Sequence, residues 1–476
     1  MNRRDFLKLS VGAGALTLIP GCLLATPEPK RKKLNFVFIL IDDMGWTDAG
    51  CYGSTFYETP NIDKLAAEGM RFTNAYAASP VCSPTRASIM TGKYPARLGI
   101  TQWIGATDKP VKYVHNMPTE EVTIAEALKR VGYTTAFIGK WHLGEQEKYY
   151  PEKQGFDVNK GGYRAGHPWA GYFSPYENPK LPDGPEGEYL TDRLTDESLK
   201  FLDENSDKPF LLYLSHYAVH TPLQAKENQI EKYNTKAKHL PPPEGPAYLT
   251  ERDDIITKQL QDHPVYAAMV QSTDESVGCV MNKLEALGLS DTTAVIFMSD
   301  NGGLSTQPRK SPTANVPLRA GKGWLYEGGI REPMIIKWPG VVKAGTLCHE
   351  PVISNDFYPT MLQMARLPLR PNQHTDGLSL VPLLTGTGKL DRNAIYWHYP
   401  HYHGSGTRPS GAVRAGDYKL IEFYEDNRVE LYNLKKDISE KHNLAEKMPQ
   451  KAAQLRKMLH NWRKSVNARM PDPNPG

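Results

Sequence analysis

Leu34-Asn35-Phe36-Val37-Phe38-Ile39-Leu40-Ile41-Asp42-Asp43 is the stretch on which the fold turns. Its apolar side chains run without alternation, so neither face of a strand built from them can be turned to water. The run then stops at two adjacent acids. A strand buried on both faces belongs in the middle of a parallel sheet covered by helices. Runs of the same kind recur at residues 134–138, 210–215, 294–298 and 334–336. Helical patterns lie between them. Thr59-Pro60-Asn61-Ile62 opens one, with proline in its first turn. Residues 123–131 form a second, closed by Gly132. Residues 266–287 form a third, with Val270, Thr273, Val277, Val280, Met281, Leu284 and Leu287 along one side. This alternation predicts an α/β fold, a large doubly wound mixed sheet flanked by helices.

Two stretches interrupt the alternation. Residues 149–188 are rich in Gly, Pro and Tyr with weak periodicity, and are expected to form long loops beside a site. Residues 226–251 read as another insertion. Beyond about residue 371 short segments at 418–423 and 429–432 predict a small antiparallel sheet, and residues 449–466 a last amphipathic helix. The expected organisation is a leader and spacer over 1–33, a catalytic domain over 34–370, and a C-terminal subdomain of antiparallel sheet plus helix over 371–476.

The 476 residues carry 57 Lys and Arg against 53 Asp and Glu, a net charge of +4 with no basic stripe. That balance argues against a nucleic-acid partner. Asn2-Arg3-Arg4-Asp5-Phe6-Leu7-Lys8 is a twin-arginine export pattern, followed by an apolar stretch over 11–20 too short to span a bilayer. Ile19-Pro20-Gly21-Cys22 has the form of a lipoprotein processing site, although Pro20 is unusual there. The expectation is a periplasmic or cell-surface protein of a bacterium, delivered by the twin-arginine machinery, whose membrane contact is a lipid on Cys22. The other cysteines are Cys51, Cys82, Cys279 and Cys348, and no CxxC pair exists, which disfavours a thiolate zinc site. Any disulfide among Cys51, Cys279 and Cys348 stays open.

Asp42 and Asp43 sit where the first strand ends, and sites of open α/β sheets form at that end of the strands. Adjacent carboxylates repel unless a cation neutralises them. Ser299-Asp300-Asn301-Gly302-Gly303 follows another apolar strand and adds a carboxylate and an amide oxygen. Each segment alone reads equally as a strand-end turn. Together Asp42, Asp43, Asp300 and Asn301 offer hard oxygen donors, which favour Ca2+ or Mg2+ over zinc.

Pro80-Val81-Cys82-Ser83-Pro84-Thr85-Arg86-Ala87-Ser88-Ile89-Met90-Thr91-Gly92 carries the most specific signal. Pro84 and the residues after it place Cys82 at or just before a helix N-terminus, where free N–H groups and the helix dipole favour an anion. A thiolate nucleophile would be favoured there too. Oxygen-preferring cations beside it argue for an oxygen at position 82 instead. Cys-x-Pro-x-Arg extended by Ala87 to Gly92 closely resembles the maturation motif of the type I, formylglycine-dependent sulfatases of the alkaline phosphatase superfamily. In that family the cysteine is oxidised to formylglycine by a formylglycine-generating maturation enzyme. Twin-arginine export carries folded proteins, which suits a cysteine modified before export. Gly139-Lys140-Trp141-His142-Leu143-Gly144, Ala218-Val219-His220-Thr221-Pro222 and the Gly-rich loop from Gly321 to Pro333 resemble further segments of the family, with Trp324-Leu325 departing from the small hydroxylated residues often found in that loop.

The resemblance implies a sulfatase that forms a sulfo-enzyme intermediate at a formylglycine hydrate and releases inorganic sulfate. It implies Asp42, Asp43, Asp300, Asn301 and residue 82 as ligands of Ca2+, with Mg2+ the alternative. It implies Lys140 and Lys322 on the sulfate oxygens, Arg86 orienting the hydrate, His220 as general acid and His142 as the base that later expels sulfate. The expected substrate is a sulfated glycan, with exo action on galactose-type sugars. Trp397-His398-Tyr399-Pro400-His401-Tyr402-His403 resembles the variable region that lines the sugar pocket, which makes His398, His401 and His403 the candidate substrate-binding residues. Two rival readings are a formylglycine-dependent phosphodiesterase or phosphonate monoester hydrolase, and an inactive glycan-binding lipoprotein.

Overall fold

The structure, a computed structural model, describes residues 33–472. Arg3-Arg4 and Cys22, on which the export and lipid expectations rest, lie outside the described residues. The main sheet has eight strands: β1 (Asn35–Ile41), β2 (Met70–Phe72), β3 (Thr134–Gly139), β4 (Val158–Lys160), β5 (Phe210–Ser215), β6 (Thr293–Ser299), β7 (Met334–Lys337) and β8 (Thr346–Cys348). Their order across the sheet is β8-β2-β7-β6-β1-β5-β3-β4. β1 lies between two parallel neighbours, β5 and β6, and all of its residues are buried. β3 continues the parallel set beyond β5, and β4 closes that edge. β7 runs antiparallel to both β6 and β2, which makes the sheet mixed. The first of these strands to be read in the sequence is therefore central, as unbroken apolarity requires.

Helices cover both faces. The longest, Pro264–Ala286, buries Val270, Thr273, Val277, Val280 and Leu284, while Met281 and Leu287 are half-buried at its border. Asp274 on this helix accepts the backbone N–H groups of Asn61 and Ile62, at 3.0 and 2.8 Å, and so caps the neighbouring helix Pro60–Glu68 from outside it. That satisfies donors which the helix cannot satisfy internally. The helix Ile124–Lys129 starts with a capping box between Thr123 and Glu126.

The segment read as an insertion over 226–251 is more ordered than a loop. It forms the helix Glu227–Ala237, seated on the long helix through Gln229 and Ser272 at 2.8 Å. A hairpin follows, Tyr248–Arg252 with Ile255–Lys258, whose second strand pairs with Thr306–Gln307. Residues 149–188 are irregular apart from short turns and the edge strand β4.

At the C-terminal end, Ile395–Tyr399, Ser410–Ala415, Tyr418–Phe423 and Val429–Asn433 form an antiparallel sheet in chain order. The helix Pro449–Ser465 covers it through Ala452, Leu455, Leu459 and Trp462. Leu380 and Leu384 pack into the large core, while the strands from Ile395 on share a second core with Tyr76, Val81, Trp324 and Ile330 from earlier in the chain. Among the described residues no helix is long and apolar enough to cross a membrane.

Candidate active site

Parallel β1, β3, β5 and β6 deliver their carboxyl ends to one rim, and the chemistry-bearing segments follow directly. Asp42 and Asp43 leave β1, Lys140 and His142 leave β3, His220 follows β5, and Asp300 and Asn301 leave β6. Backbone hydrogen bonds continue past the strands and lock these ends together: Asp300 N–H donates to Ile41, and Asp42 N–H to Ala218, both at 3.0 Å. Asp43 and His142 both hold left-handed backbone, at φ 62° and 54°, a conformation that non-glycine residues adopt mainly where surrounding contacts impose it.

The acids are buried together. Burial pushes the Asp42 carboxyl well above its ordinary range, Lys140 opposes this, and the charges of Asp300 and Asp43 add to it. Asp43 is also buried, yet Lys322 and His220 beside it hold its carboxyl far below the usual value. Asp42 Oδ1 and Asn301 Oδ1 are buried with no hydrogen-bond partner. Asn301 donates its amide to Asp43 at 2.7 Å, and Lys140 and Lys322 lie 2.6 and 2.7 Å from Asp42 and Asp43. Ligand atoms of Asp42, Asp43 and His220 lie within 4.8 Å of one another. Repelling buried carboxylates with unpaired oxygens fit a divalent cation. The acid–imidazole group brings in His220, which the sequence placed as a proton donor and not as a neighbour of the cation.

Cys82 is the first residue of the buried helix Cys82–Thr91. Its Sγ lies 3.2 Å from His142 Nδ1, and the other ring nitrogen, Nε2, lies 2.8 Å from the carbonyl of Ile104. A carbonyl only accepts, so Nε2 carries the proton and Nδ1 turns its lone pair on residue 82. Burial, followed by Lys140, keeps this imidazole neutral far below its ordinary range. Ser83 Oγ donates to the His142 carbonyl at 2.8 Å and accepts the Ile104 N–H at 3.0 Å, which ties the nucleophile helix to the histidine and to its partner. Gly166 leaves room for the ring, since a Cβ there would stand 2.5 Å from His142 Cε1. Gly139, at φ 107°, lets the chain turn toward Lys140 where a Cβ would meet the Ser215 carbonyl at 1.9 Å.

Arg86 stands behind this group. Its Nε donates to Asp300 at 2.8 Å, and its Nη1 reaches the Lys140 carbonyl and Ser215 Oγ at 2.8 and 2.7 Å. These contacts brace three strand ends. His220 places Nδ1 2.7 Å from the Thr221 carbonyl and Nε2 3.8 Å from Asp43. The Gly-rich loop that carries Lys322 is anchored from the C-terminal sheet. Glu327 accepts from Lys419 at 2.9 Å and from Tyr76 at 2.7 Å, and Lys419 also pairs with Glu440 at 3.0 Å. Trp324, the departure noted in this loop, donates its indole N–H to Ser405 at 3.0 Å.

Above these groups opens a cavity of about 700 Å3, reaching Cys82, His142, His220 and Lys322. Of the three histidines expected to bind substrate, His403 lines it, while His398 and His401 do not. The reason is strand alternation. Trp397 and Tyr399 face the catalytic core, bonded to the Ala77 carbonyl and to Gln102, so His398 points the other way, to Tyr424 and the Arg469 carbonyl. His401 is fully buried on Thr101 at 2.9 Å. The cavity is lined instead by Gln102, Trp103, Arg164, His167, Trp169 and Arg309, none of them singled out by the sequence. The Gly/Pro/Tyr-rich composition of 149–188 did mark the loop that supplies three of these, but not which side chains it turns inward.

A floor that gathers ammonium groups and a neutral imidazole around one nucleophile position suits an enzyme that opens an oxyanion ester. The family model described as Sulfatase matches residues 34–367, and one described as N-sulphoglucosamine sulphohydrolase, C-terminal, matches residues 320–467. A Sulfatase of Formosa agariphila is 33% identical, with 94% of this chain and 92% of that protein aligned. Human N-acetylgalactosamine-6-sulfatase is 33% identical over 78% of this chain and 69% of its own. The crystal structure of Ps i-CgsB in complex with k-i-k-neocarrahexaose superposes with a TM-score of 0.76 and 31% identity, covering 93% of this chain and 95% of the other. The phosphonate monoester hydrolase of Agrobacterium radiobacter shares the fold at a TM-score of 0.68 and 20% identity. The chain belongs to the sulfatase family: it is a sulfuric ester hydrolase.

Proposed function

We propose that this sulfatase acts on a sulfated carbohydrate of galactose type, with residue 82 converted to formylglycine and calcium as the resident ion. The observation that carries the reading is the position of Cys82: first in a buried helix, 3.2 Å from His142 Nδ1, on the floor of the cavity. A calcium ion held by Asp42, Asp43, Asp300 and Asn301 would supply Lewis-acid charge at the sulfate oxygens. A formylglycine hydrate would supply two hydroxyls, one to attack sulfur and a second to be deprotonated when sulfate leaves. The chain's own side chains do the rest. Lys140 and Lys322 bind sulfate oxygens and offset charge in the transition state. His142, with its tautomer fixed by Ile104, accepts a proton at Nδ1. His220, whose Nδ1–H is spent on the Thr221 carbonyl, presents Nε2 to the cavity and must first take up a proton there before giving it to the departing sugar oxygen. Arg86 holds Asp300 and the end of β3 in register for these steps.

Aromatic side chains at the cavity wall support a sugar substrate. Trp103, Trp169 and Tyr402 line it; one face of Trp169 is covered by Arg164, and Tyr402, 45% exposed, is open to stack on a sugar ring. The names of the relatives above point to galactosamine- and carrageenan-type substrates. The twin-arginine pattern and Cys22 support an exported, lipid-anchored enzyme that meets such glycans outside the cytoplasm.

The test is sulfate release by protein co-expressed with a formylglycine-generating enzyme and supplied with calcium. Galactose 6-sulfate, N-acetylgalactosamine 6-sulfate and sulfated carrageenan oligosaccharides are compared with bis(4-nitrophenyl) phosphate. Release from at least one sugar, absent in Cys82→Ala, is expected. Phosphodiester cleavage without sulfate release would overturn the substrate assignment.

A further inference from the structure

The catalytic cavity does not end at its own wall. A second cleft of about 610 Å3 adjoins it, and Thr221, Leu304, Gln307 and Arg309 line both. The hairpin Tyr248–Arg252 with Ile255–Lys258 builds the far side of this cleft through Tyr248 and Lys258. The insertion that interrupts the α/β alternation thus extends the site into a groove.

The charges along that groove are unequal. Its carboxylate, Asp262, is taken by Lys258 in an ion pair. Arg309 stands at the junction, exposed, with one hydrogen bond from Nε to Gln307 at 3.3 Å. Neither Arg309 nor the adjacent Lys310, which also lines the cleft, has a carboxylate within 4.0 Å among the described residues. Lys322, by contrast, is committed to Asp43 on the catalytic floor. Arg164 is a weaker candidate, because its guanidinium is stacked 4.6 Å over the Trp169 ring. An unpaired guanidinium at the mouth of a groove, backed by a lysine, suits an anion presented in a plane with two oxygens.

We propose that Arg309 and Lys310 form a subsite for a second anionic group, a sulfate ester or a carboxylate, on the sugar next to the one whose sulfate is removed. The enzyme would then select a glycan charged on adjacent sugars over an isolated sulfated monosaccharide. This rests on the carbohydrate reading above.

The measurement is calorimetric binding to the full chain with Cys82 left unconverted, so that no ligand is turned over, in calcium at low ionic strength. Three probes are compared: galactose 6-sulfate, a galactose 6-sulfate disaccharide with a second sulfate on the neighbouring sugar, and one whose neighbouring sugar is a uronic acid. The parent should bind at least one disaccharide about tenfold more tightly than the monosaccharide. The disaccharide that gains identifies the anion. Arg309→Ala should reduce that preference to about twofold or less, with Lys310→Ala intermediate, and rising salt should erode the parent's preference. Equal binding of all three probes by the parent, or a preference that survives in Arg309→Ala, would overturn the subsite. Failure to bind any probe would overturn it as well, whereas failure of the carbohydrate reading shows separately, as matured enzyme that releases sulfate from aryl esters and from no sugar.

Discussion

Proton transfer at residue 82 depends on one pair of hydrogen bonds. His142 can accept a proton from residue 82 because its other nitrogen is spent on Ile104. His142→Ala should lower kcat by about 10²- to 10⁴-fold, the ordinary worth of a positioned base. The check is single-turnover kinetics, in which the sulfated enzyme should accumulate, because the loss falls on its breakdown. Gly166→Ala should act through the same ring: its Cβ would displace His142, so kcat falls while thermal unfolding changes little, read by comparing rate and Tm on one preparation. Chelation should abolish turnover and lower Tm, since the buried acids lose a partner that only the folded chain binds, and calcium should restore both. The acids of this floor were legible in the sequence because they directly follow buried strands, and Cys82 because it begins a helix, whereas Lys140, His142, His220 and Lys322 were reached through the family resemblance. His398 was not legible as a buried group, since the period of two that turns it away from the cavity starts from a strand the sequence had not yet located, and His401 lies beyond that strand, where its contact with Thr101 depends on tertiary packing. Arg164, Trp169 and Arg309 sit on irregular backbone, where no periodicity shows which way a side chain points.

Among elements, the informative contact joins the Gly-rich loop of Lys322 to the C-terminal sheet. Lys419 is fully buried between Glu327 and Glu440. Removing one partner of such a network leaves uncompensated charge, so Lys419→Met should cost about 3–5 kcal/mol by denaturant unfolding. It should also reduce kcat more than KM, by loosening the loop that holds Lys322. Asp274→Ala should cost about 1–3 kcal/mol, because two helix N–H groups lose their acceptor. The long strands and the long helix were readable from period and length. β4 was not, since Val-Asn-Lys at a sheet edge has no apolar run. Nor was the antiparallel sense of β7, because an apolar run carries no direction. The hairpin was not readable because its two strands are short and Tyr-Leu-Thr-Glu-Arg carries no regular alternation.

For the whole molecule, burial holds several imidazoles neutral. It drives His216 and His401 to about 3 and His398 to about 4. Each folded value lies below the unfolded one, near 6.5, so the stability these groups contribute is present above pH 6.5 and is lost as pH falls toward 4 and below. His398 alone should account for on the order of 3 kcal/mol over that window, a large share of a typical folding free energy of about 5–15 kcal/mol. Unfolding midpoints should therefore drop between pH 6.5 and 4, and His398→Gln should flatten the slope, whereas an unchanged slope would place the acid sensitivity elsewhere. The central claim is that residue 82, once converted, turns over sulfate esters on this floor. The most direct test is the rate of sulfate release plotted against the fraction of residue 82 that peptide mass spectrometry finds converted, with sulfur exchanged for oxygen and two hydrogens lost. A straight line through the origin is expected, with Cys82→Ser lying at zero turnover. Full activity from unconverted cysteine, or none from fully converted and calcium-loaded protein presented with the whole sugar panel, would contradict it.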